Sequence, residues 1–505
     1  MKLKICCQPL NACKKPSGLH FSTVANHFLI NRNVQLSFWV SVLEFVKCLT
    51  FVGRILENHQ REQKESSETQ VEGLKLKVDH LENENSKLQN LFQEKSNVNE
   101  NICQEVSRLT RQKTASTLPK DYLGMLEYKR EDEPRLIENI ILDLKLKGVA
   151  VNMIPTLPAY ILFMCIRHAD YLNDEAKLKS LMNAIIGGVK KVIVSHQKDL
   201  EFLSFWLSNT HQLLNCLKQY SGEEEFLKQS TPRQKKNCLQ NFDLSEHRQI
   251  LSDLAIQIYH RFISVMQKTF TPTIVPGMLE HESLQGISSM KPTGFRKRSN
   301  SFYEESETYT ISSILQHLTV FHSTMNHHGL DQGLIKQVIK QLFYLVAAIT
   351  LNNIMLRKDM CSCRKGMQIR CNISYLEEWL KEKELQNVNA MDTLKPLAQT
   401  AWLLQVNKST DDDAKEIIEK CSELSPVQIV KILNSYTPID DFEKRVTSSF
   451  VRKVQSLLQD HEGSAQLMLD ADYRFQVTFP FCTSTQALEL LQVPNSLHLD
   501  FLNRI

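Results

Sequence analysis

The stretch Leu334–Leu356, LIKQVIKQLFYLVAAITLNNIML, decides the fold of this chain. Its first half repeats apolar residues at helical spacing with lysines and glutamines opposite, and its second half is apolar on nearly every side. Such a helix begins as one wall of a bundle and ends buried inside it. The unbroken apolar run from Leu342 to Ile349 is far shorter than the ~20 residues that cross a bilayer. The stretch therefore predicts the core helix of a large soluble all-α domain.

Length and charge limit the number of domains and the class of partner that the chain can have. Its 505 residues are too many for a single hydrophobic core and predict two or three domains. The 60 Lys and Arg residues nearly balance the 57 Asp and Glu residues, so no basic surface for nucleic acid is indicated at the level of the whole chain. The 13 cysteines are scattered, mostly within apolar helical segments, which is typical of a reducing, cytosolic compartment.

Residues 1–56 are the least settled part of the sequence. The segment 34–53 has the length of a membrane span, yet Glu44 and Lys47 lie near its middle, where each charge costs roughly 2.5–3.5 kcal/mol. Two interpretations stay open. The segment anchors a membrane-bound coiled-coil tether, or it is a non-standard N-terminus joined to a truncated longer protein.

A heptad repeat predicts a parallel, dimeric coiled coil within residues 57–115. Leucine at d with valine at a favours two strands, and buried asparagine at a positions fixes the register. Lys95, Asn85 and Asn99 interrupt the seam, so a solvated single helix is the alternative. The predicted apolar core positions are Val71, Leu74, Val78, Leu81, Leu88, Phe92, Ile102, Val106 and Leu109.

Downstream of the heptads, the pattern predicts a hinge at 116–132 and a helical globular region at 133–505. Thr271–Tyr309 is rich in proline, glycine and serine and predicts a long mobile loop, with the preceding helix ending at Phe270. Strand signals are scarce, and the alternation in Arg474–Phe479 suggests one short extended piece. The apolar chain end, 472–505, is expected to be strapped across the body of the domain.

The sequence carries few signs of catalysis. It has no phosphate-binding loop, dinucleotide fingerprint, nucleophile elbow or zinc-protease motif, so we predict no catalytic residue, cofactor or nucleotide hydrolysis. Cys361, Cys363 and Cys371 have no zinc-like spacing, so no metal site is predicted either. One local feature is Arg296–Ser301, in which a basic residue stands three before Ser299 and three before Ser301. Phosphate there would add about −1.5 to −2 charge beside three cations, which makes both serines phosphorylation candidates.

Three segments carry a family resemblance: 308–380, 410–438 and 477–494. They closely resemble the dilute (DIL) region of the class V myosins, with the Vc type nearest. The resemblance runs from about Glu133 to Ile505, and the heptads before it match the distal rod of the family's tail. It implies an elongated, two-subdomain helical-bundle tail with a dilute core at about 184–460. The motor head and IQ motifs of the family are not in this sequence.

The resemblance also implies a function, that of a non-enzymatic cargo adaptor. Such a tail forms a homodimer, works in the cytoplasm on vesicle membranes and the actin cytoskeleton, binds Rab GTPases and vesicle adaptors, and docks on the motor head to inhibit it. Lys358 and Lys431 match basic residues implicated in head contact, although lysine near a helix end is also ordinary dipole complementarity. Cys371 and Gln405 match a Rab-contacting surface, but family members that bind one particular Rab have tyrosine at the position of Cys371. The loop serines coincide with a family phosphorylation region.

Overall fold

The computed structural model describes residues 122–146, 148, 153–281, 309–387, 389–439, 443–459 and 466–505, together with positions 72, 75, 78, 79, 83 and 85–87 of the predicted rod. These rod positions are helical. Val78 is the one predicted coiled-coil core residue among them, and it is 50% exposed in the single chain. The other core positions, the segment 34–53, Ser299 and Ser301 lie outside the described residues.

Helices dominate the described residues, which confirms the all-α prediction. They are α1 Glu133–Ile137, α2 Leu157–Tyr171, α3 Glu175–Ser195, α4 Leu200–Gln219, α5 Glu224–Leu227, α6 Pro232–Lys236, α7 Ser245–Val275, α8 Ile311–His327, α9 Gln332–Leu356, α10 Cys363–Glu382, α11 Ala390–Thr393, α12 Lys395–Gln405, α13 Asp411–Lys420, α14 Pro426–Ser435 and α15 Ser448–Leu458. The π-helical turns are Glu138–Leu142 and Pro276–Glu280, and the 3-10 turns are Arg130–Asp132, Lys358–Met360, Leu488–Leu490 and Asn495–Leu497. Two short strands, β1 Leu126–Glu127 and β2 Asn503–Arg504, pair antiparallel.

Helix α9 is the central core helix that its spacing predicts. Asp331 caps it, because its carboxylate accepts hydrogen bonds from the backbone N–H groups of Gly333 (2.8 Å) and Leu334 (3.3 Å). The helix packs against α7, α11 and α12. Among the described residues it is the one helix long and apolar enough to cross a membrane, but 72% of its apolar window is buried inside the protein. It therefore serves as the core of a folded domain, Asp121–Ile505.

The predicted loop at 271–309 starts too early. Helix α7 continues through Pro272 to Val275 and passes into the π-helical turn Pro276–Glu280. Tertiary packing outweighs the proline, because Phe270 and Ile274 on either side of it are fully buried in the core. A proline therefore lies inside a helix at a position where the sequence predicted a break.

The sequence pattern does not mark the first turns of helix α10, which begins at Cys363. Its early turns are polar, which hides the helical period, and they are polar because they bond to the end of α7. The Lys365 ammonium donates to the carbonyl of Leu279 at 2.5 Å, and the Asn372 amide donates to that of Met278 at 3.1 Å. Sequence periodicity alone indicates a loop around Lys365 and Asn372, whereas both residues are buried in the folded domain.

The described part of the predicted hinge, 122–132, is built into the domain. Leu126 and Tyr128 are 1% and 2% exposed. The backbone N–H of Leu123 donates to the carbonyl of Ile505 (2.9 Å), and the N–H of Ile505 donates to the carbonyl of Met125 (3.1 Å). The last residues of the chain therefore hold the first residues of the domain.

Residues 466–505, called here the strap, cross the helices without forming a sheet on them. Arg474–Phe479, where the sequence suggested an extended piece, is neither helix nor strand, and its backbone pairs with side-chain amides of α9. Glutamine and asparagine side chains carry both N–H donors and a carbonyl acceptor, and so can satisfy the C=O and N–H groups of the strap backbone. The paired residues are Gln219 with Ser484, Gln337 with Thr478, Gln341 with Tyr473 and Phe475, and Asn352 with Leu469.

Candidate partner-binding surfaces

Lys358 and Lys431 lie on neighbouring elements. Lys358 is exposed in the 3-10 turn after α9, and Lys431 is half-buried on α14. The chain after α14 closes onto the turn, because the backbone N–H of Thr437 donates to the carbonyl of Cys361 at 2.7 Å. Burial raises the pKa of the Cys361 thiol to about 12, while the charge of Lys431 acts in the opposite direction, so Lys431 lies within electrostatic reach of this turn.

The two lysines have no close acidic partner in the part of the chain that the structure describes. Arg357, immediately before Lys358, pairs with Glu280 at 2.5 Å and Asp359 at 2.9 Å. Among the described residues, no carboxylate lies within 4.0 Å of the ammonium group of Lys358 or Lys431. A partner bringing acidic side chains would therefore meet two cations that no described carboxylate pairs with.

Cys371 and Gln405 lie on a closely packed pair of helices, α10 and α12. The pair comes together at Gly366, where an added Cβ would lie 2.7 Å from the carbonyl oxygen of Ala401 and 2.8 Å from Cβ of Leu404. Both Cys371 and Gln405 are half-buried, and the Gln405 amide donates to the carbonyl of Ala401 at 2.8 Å. The structure thus places both residues on one helical hairpin.

A third surface, which the sequence analysis missed, lies between α3 and α7. It is a groove of 910 Å³, called here the α3/α7 groove, and its floor is formed by core residues that include Ile193, Leu254 and Ile258. Val194 stands on its rim with 63% of its surface exposed. Exposed apolar surface within a concave groove is typical of a binding site for a partner segment.

Cations surround this groove. Its lining includes Lys190, Lys198, Arg261 and Lys268 and contains no aspartate or glutamate. The signal was present in the sequence, because Lys190, Val194 and Lys198 recur every four residues; Lys190 and Val194 lie on α3, and Lys198 follows the end of that helix. In the sequence, the polar face of each helix looks like an ordinary solvent-exposed face. The groove arises only where α3 and α7 pack against each other.

Four buried thiols are held in the protonated state by burial. Burial raises the pKa of Cys165, Cys216 and Cys421 to about 12, as it does for Cys361. Among the residues that the structure describes, no three histidine, cysteine or acidic side chains are grouped to hold a metal ion.

Comparison with known proteins identifies the domain. Residues 337–440 match the DIL domain. The chain is 67% identical over 391 residues to unconventional myosin-Vc of Homo sapiens, and 48% identical over 510 residues to human unconventional myosin-Va. These matches cover 77% and 90% of this chain, but only 22% and 27% of the relatives, so the chain spans about a quarter of their length.

Solved structures show the same fold. A yeast myosin 5 cargo-binding domain is superposed with a TM-score of 0.55 at 21% identity, covering 72% of this chain and 90% of that one. Myo2-GTD in complex with Mmr1 gives a TM-score of 0.54 at 22% identity, covering 74% and 96%. The fold is that of a helical globular tail domain. The chain belongs to the class V myosins, as a tail region, and its higher identity to myosin-Vc than to myosin-Va confirms the predicted Vc type.

Proposed function

We propose that this chain is the cargo adaptor of an actin-based transport motor, acting in the cytoplasm on vesicle membranes. Two copies join through the predicted coiled coil at 57–115 and present two helical tails to Rab GTPases and vesicle adaptors. The solved tails of Myo2 in complex with Mmr1, Smy1 and Inp2 are the precedent for adaptor binding, at the level of those proteins.

The observation that carries the proposal is the α3/α7 groove. An apolar floor binds the apolar side chains of a partner segment, and four cations at its edge select a segment flanked by aspartate or glutamate. The absence of a carboxylate from the lining means that such a segment meets no like charge there. The groove thus supports an acidic, amphipathic peptide as the occupant.

The other two surfaces take different partners in this proposal. The hairpin with Cys371 and Gln405 contacts a GTP-loaded Rab, and the surface with Lys358 and Lys431 docks on the motor head in the full-length protein. Family resemblance supports both assignments, and the free charges of the two lysines support the second. The loop serines Ser299 and Ser301 are proposed phosphorylation sites, where a phosphate would add negative charge next to Arg296, Lys297 and Arg298 in the sequence.

Peptide selection on the intact chain tests the groove. A phage-displayed library of 16-residue random peptides is panned on the chain, and each enriched peptide is measured again on Val194→Glu. A carboxylate at this rim repels an acidic segment, so we expect at least a tenfold loss of affinity. The matched control is Val320→Glu, because Val320 on α8 is similarly exposed at 51%. Peptides bound equally by the wild-type chain and Val194→Glu would refute the groove's role.

A pull-down tests the Rab assignment separately. The chain is offered a panel of purified Rab proteins loaded with GTP or GDP. We expect at least one GTP-dependent partner whose binding falls with Gln405→Ala. Binding that ignores the nucleotide, or that Gln405→Ala leaves unchanged, would remove this assignment and leave the groove's role intact.

A further inference from the structure

A separate cavity lies where the domain begins, and it shares no lining residue with the α3/α7 groove. It has a volume of 250 Å³ and lies between Leu123 and Met125, the end of α2 and the segment 236–241. It is called here the α2 cavity. Pockets for drug-sized ligands measure about 300–1,000 Å³, so this cavity suits a smaller molecule or a single side chain.

Arg167 brings a buried positive charge to the α2 cavity. It is 5% exposed and lines the cavity. Its Nη1 donates to the carbonyls of Leu123 (3.0 Å) and Gly124 (2.8 Å). In the part of the chain that the structure describes, Nε and Nη2 have no hydrogen-bond partner, and neither belongs to the unpartnered atoms that are sealed from solvent. These two nitrogens therefore keep accessible surface on a residue that is otherwise enclosed, and they open into the cavity that it lines.

The unpartnered part of Arg167 is the edge that recognises carboxylates. A guanidinium carries five N–H groups, and backbone carbonyls occupy the two on Nη1. The remaining edge, Nε with Nη2, presents parallel N–H groups that match the two oxygens of a carboxylate. Burial lowers the pKa of Arg167, and neighbouring groups, Tyr220 first and then Glu489, counteract this only in part. The protein thus leaves this buried charge incompletely compensated.

The acidic groups near Arg167 already have other partners. The carboxylate of Asp170 accepts hydrogen bonds from three successive backbone N–H groups, those of residues 240–242, at 2.8–3.1 Å. Glu489 pairs with Arg233 at 3.0 Å. Among the described residues, no carboxylate lies within 4.0 Å of the Arg167 guanidinium. The chain therefore supplies no ion pair for this residue in the region described.

The rest of the lining indicates which kind of acid fits. It contains two cations, Arg167 and Lys236, and one acid, Asp170, so its formal charge is +1. One carboxylate balances this charge, whereas a phosphate dianion exceeds it. Apolar and aromatic side chains also line the cavity, namely Leu123, Met125, Tyr171 and Leu239. The cavity therefore suits an acid whose charged end is attached to a short apolar body.

We propose that the α2 cavity binds a carboxylate carried on a short apolar body. The two carboxylate oxygens accept from Nε and Nη2 of Arg167, Lys236 adds a second cation, and the apolar body lies against Leu123 and Leu239. A free small acid and the terminal carboxylate of a peptide share this chemistry. Because Arg167 also holds the backbone of Leu123 and Gly124, a bound acid stabilises the first residues of the domain. The site does not depend on the proposed function of the groove.

Fluorine NMR on the intact chain tests the site with 4-fluorobenzoate as the probe. The control ligand is 4-fluorobenzamide, which has the same shape without the charge. We expect the chain to broaden the resonance of 4-fluorobenzoate with a Kd of about 1 mM, as for a ligand of this size. The acid should also raise the melting temperature of the chain, and the amide should bind at least about tenfold more weakly.

Two substitutions tie the binding to this cavity. Lys236→Glu reverses one charge of the lining, and Lys235→Glu, at an exposed neighbouring lysine outside the lining, is the matched control. We expect Lys236→Glu to weaken binding of 4-fluorobenzoate at least about fivefold and Lys235→Glu to change it less than about twofold. Arg167→Lys keeps the charge but removes the parallel N–H groups, so we expect a loss of about tenfold. If Arg167→Lys does not fold, Lys236→Glu decides the question.

Competition shows which acid the cavity takes. Displacement of 4-fluorobenzoate by acetyl-alanyl-leucine with a free carboxylate, but not by its C-terminal amide, supports a peptide end as the ligand. Displacement by isovalerate alone supports a free small acid.

Three results would overturn the proposal and leave the role of the α3/α7 groove untouched. The first is equal binding of 4-fluorobenzoate and 4-fluorobenzamide. The second is an equal effect of Lys236→Glu and Lys235→Glu on binding of the acid. The third is displacement of the probe by inorganic phosphate at a lower concentration than isovalerate requires.

Discussion

Gln337 and Thr478 exchange two hydrogen bonds across 141 positions of sequence: the Gln337 amide donates to the carbonyl of Thr478, and its Oε1 accepts from the backbone N–H of Thr478, each at 2.8 Å. This two-way exchange resembles the hydrogen bonding between paired strands, but here one partner is a helix side chain and the other is the backbone of the strap. Gln341, one turn further along α9, repeats it with Tyr473 and Phe475. The strap is held by these exchanges.

The first prediction concerns Gln341, which is 1% exposed. Gln341→Leu leaves the carbonyl of Tyr473 and the N–H of Phe475 without their partner, which costs about 1–3 kcal/mol. We expect a lower free energy of unfolding in urea and faster proteolytic cleavage within 466–505. Gln332→Leu, at an exposed glutamine on the same helix, is the control. Unchanged cleavage of the strap in Gln341→Leu would contradict this account.

The second prediction compares two helical glycines. Gly366→Ala places a Cβ against the backbone of α12, at 2.7 Å from the Ala401 carbonyl, and overpacking of this kind costs about 1–3 kcal/mol. Gly187→Ala meets no atom within 4 Å and should stabilise the chain by roughly 0.5–1 kcal/mol, because alanine favours the helix. Thermal unfolding of both variants should show shifts of opposite sign. Shifts of the same sign would mean that α10 and α12 do not approach as described.

The third prediction concerns the two uncompensated lysines. In a reconstituted assay with a separately supplied myosin head, we expect Lys358→Ala combined with Lys431→Ala to abolish inhibition of its ATPase activity at low salt. Low salt matters because exposed charges are screened beyond about 10 Å at 0.1 M ionic strength. Lys415→Ala, whose ammonium is already paired with Asp412, is the control. Full inhibition by the double variant would remove the assignment of both lysines.

The fourth prediction tests the rod, which lies largely outside the described residues. Leu81→Pro with Leu88→Pro breaks the helix at two predicted d positions, at about 3 kcal/mol each. We expect a monomer in sedimentation with an unchanged circular dichroism melt of the globular domain, since Asp121–Ile505 forms its own compact unit. A dimer that persists in this double variant would show that another surface joins the chains.

The fifth prediction concerns His328, whose pKa is lowered to about 4, chiefly by burial and next by the charge of His327. Its Nε2 lies 3.2 Å from Glu201, but the ring is neutral at pH 7. The pKa of His328 in the folded chain is below its unfolded value of 6.5. The folded chain therefore keeps its full stability above pH 6.5 and loses up to about 3 kcal/mol of it as the pH falls toward 4. The melting temperature of His328→Gln should therefore fall less than that of the wild-type chain between pH 7.5 and 5. His281→Gln, at an exposed site, is the control, and its melting temperature should fall as much as that of the wild-type chain. A fall of that size in His328→Gln would show that other groups cause the acid sensitivity.

Several elements were predictable because their causes are local in sequence. The apolar spacing of Leu334–Leu356 predicts α9, and the prediction is confirmed. Pro134 lies in the first turn of α1, and α13 starts at the acidic run Asp411–Asp413, with Thr410 accepting from the N–H of Asp413 at 3.2 Å. Helix starts, caps and apolar faces depend on residues within one or two turns of each other.

Elements with distant causes were missed. The early turns of α10 looked like a loop because Lys365 and Asn372 are polar, yet their partners are carbonyls at the end of α7. The α3/α7 groove was missed because neither helix shows by itself that its cationic face meets another. The strap's pairing with Gln337 and Gln341 could not be read from a local window either.

The amino-acid sequence by itself therefore determined the helical class, the core helix, the family and the absence of recognisable catalytic motifs, because these depend on periodicity and motif over short distances. Only the tertiary structure decided which polar residues are buried, where the grooves lie and which charges stay uncompensated. The physical reason is that an amide or a lysine acquires its role from its partner. In this domain the partners of Gln341 lie more than 130 residues away along the chain.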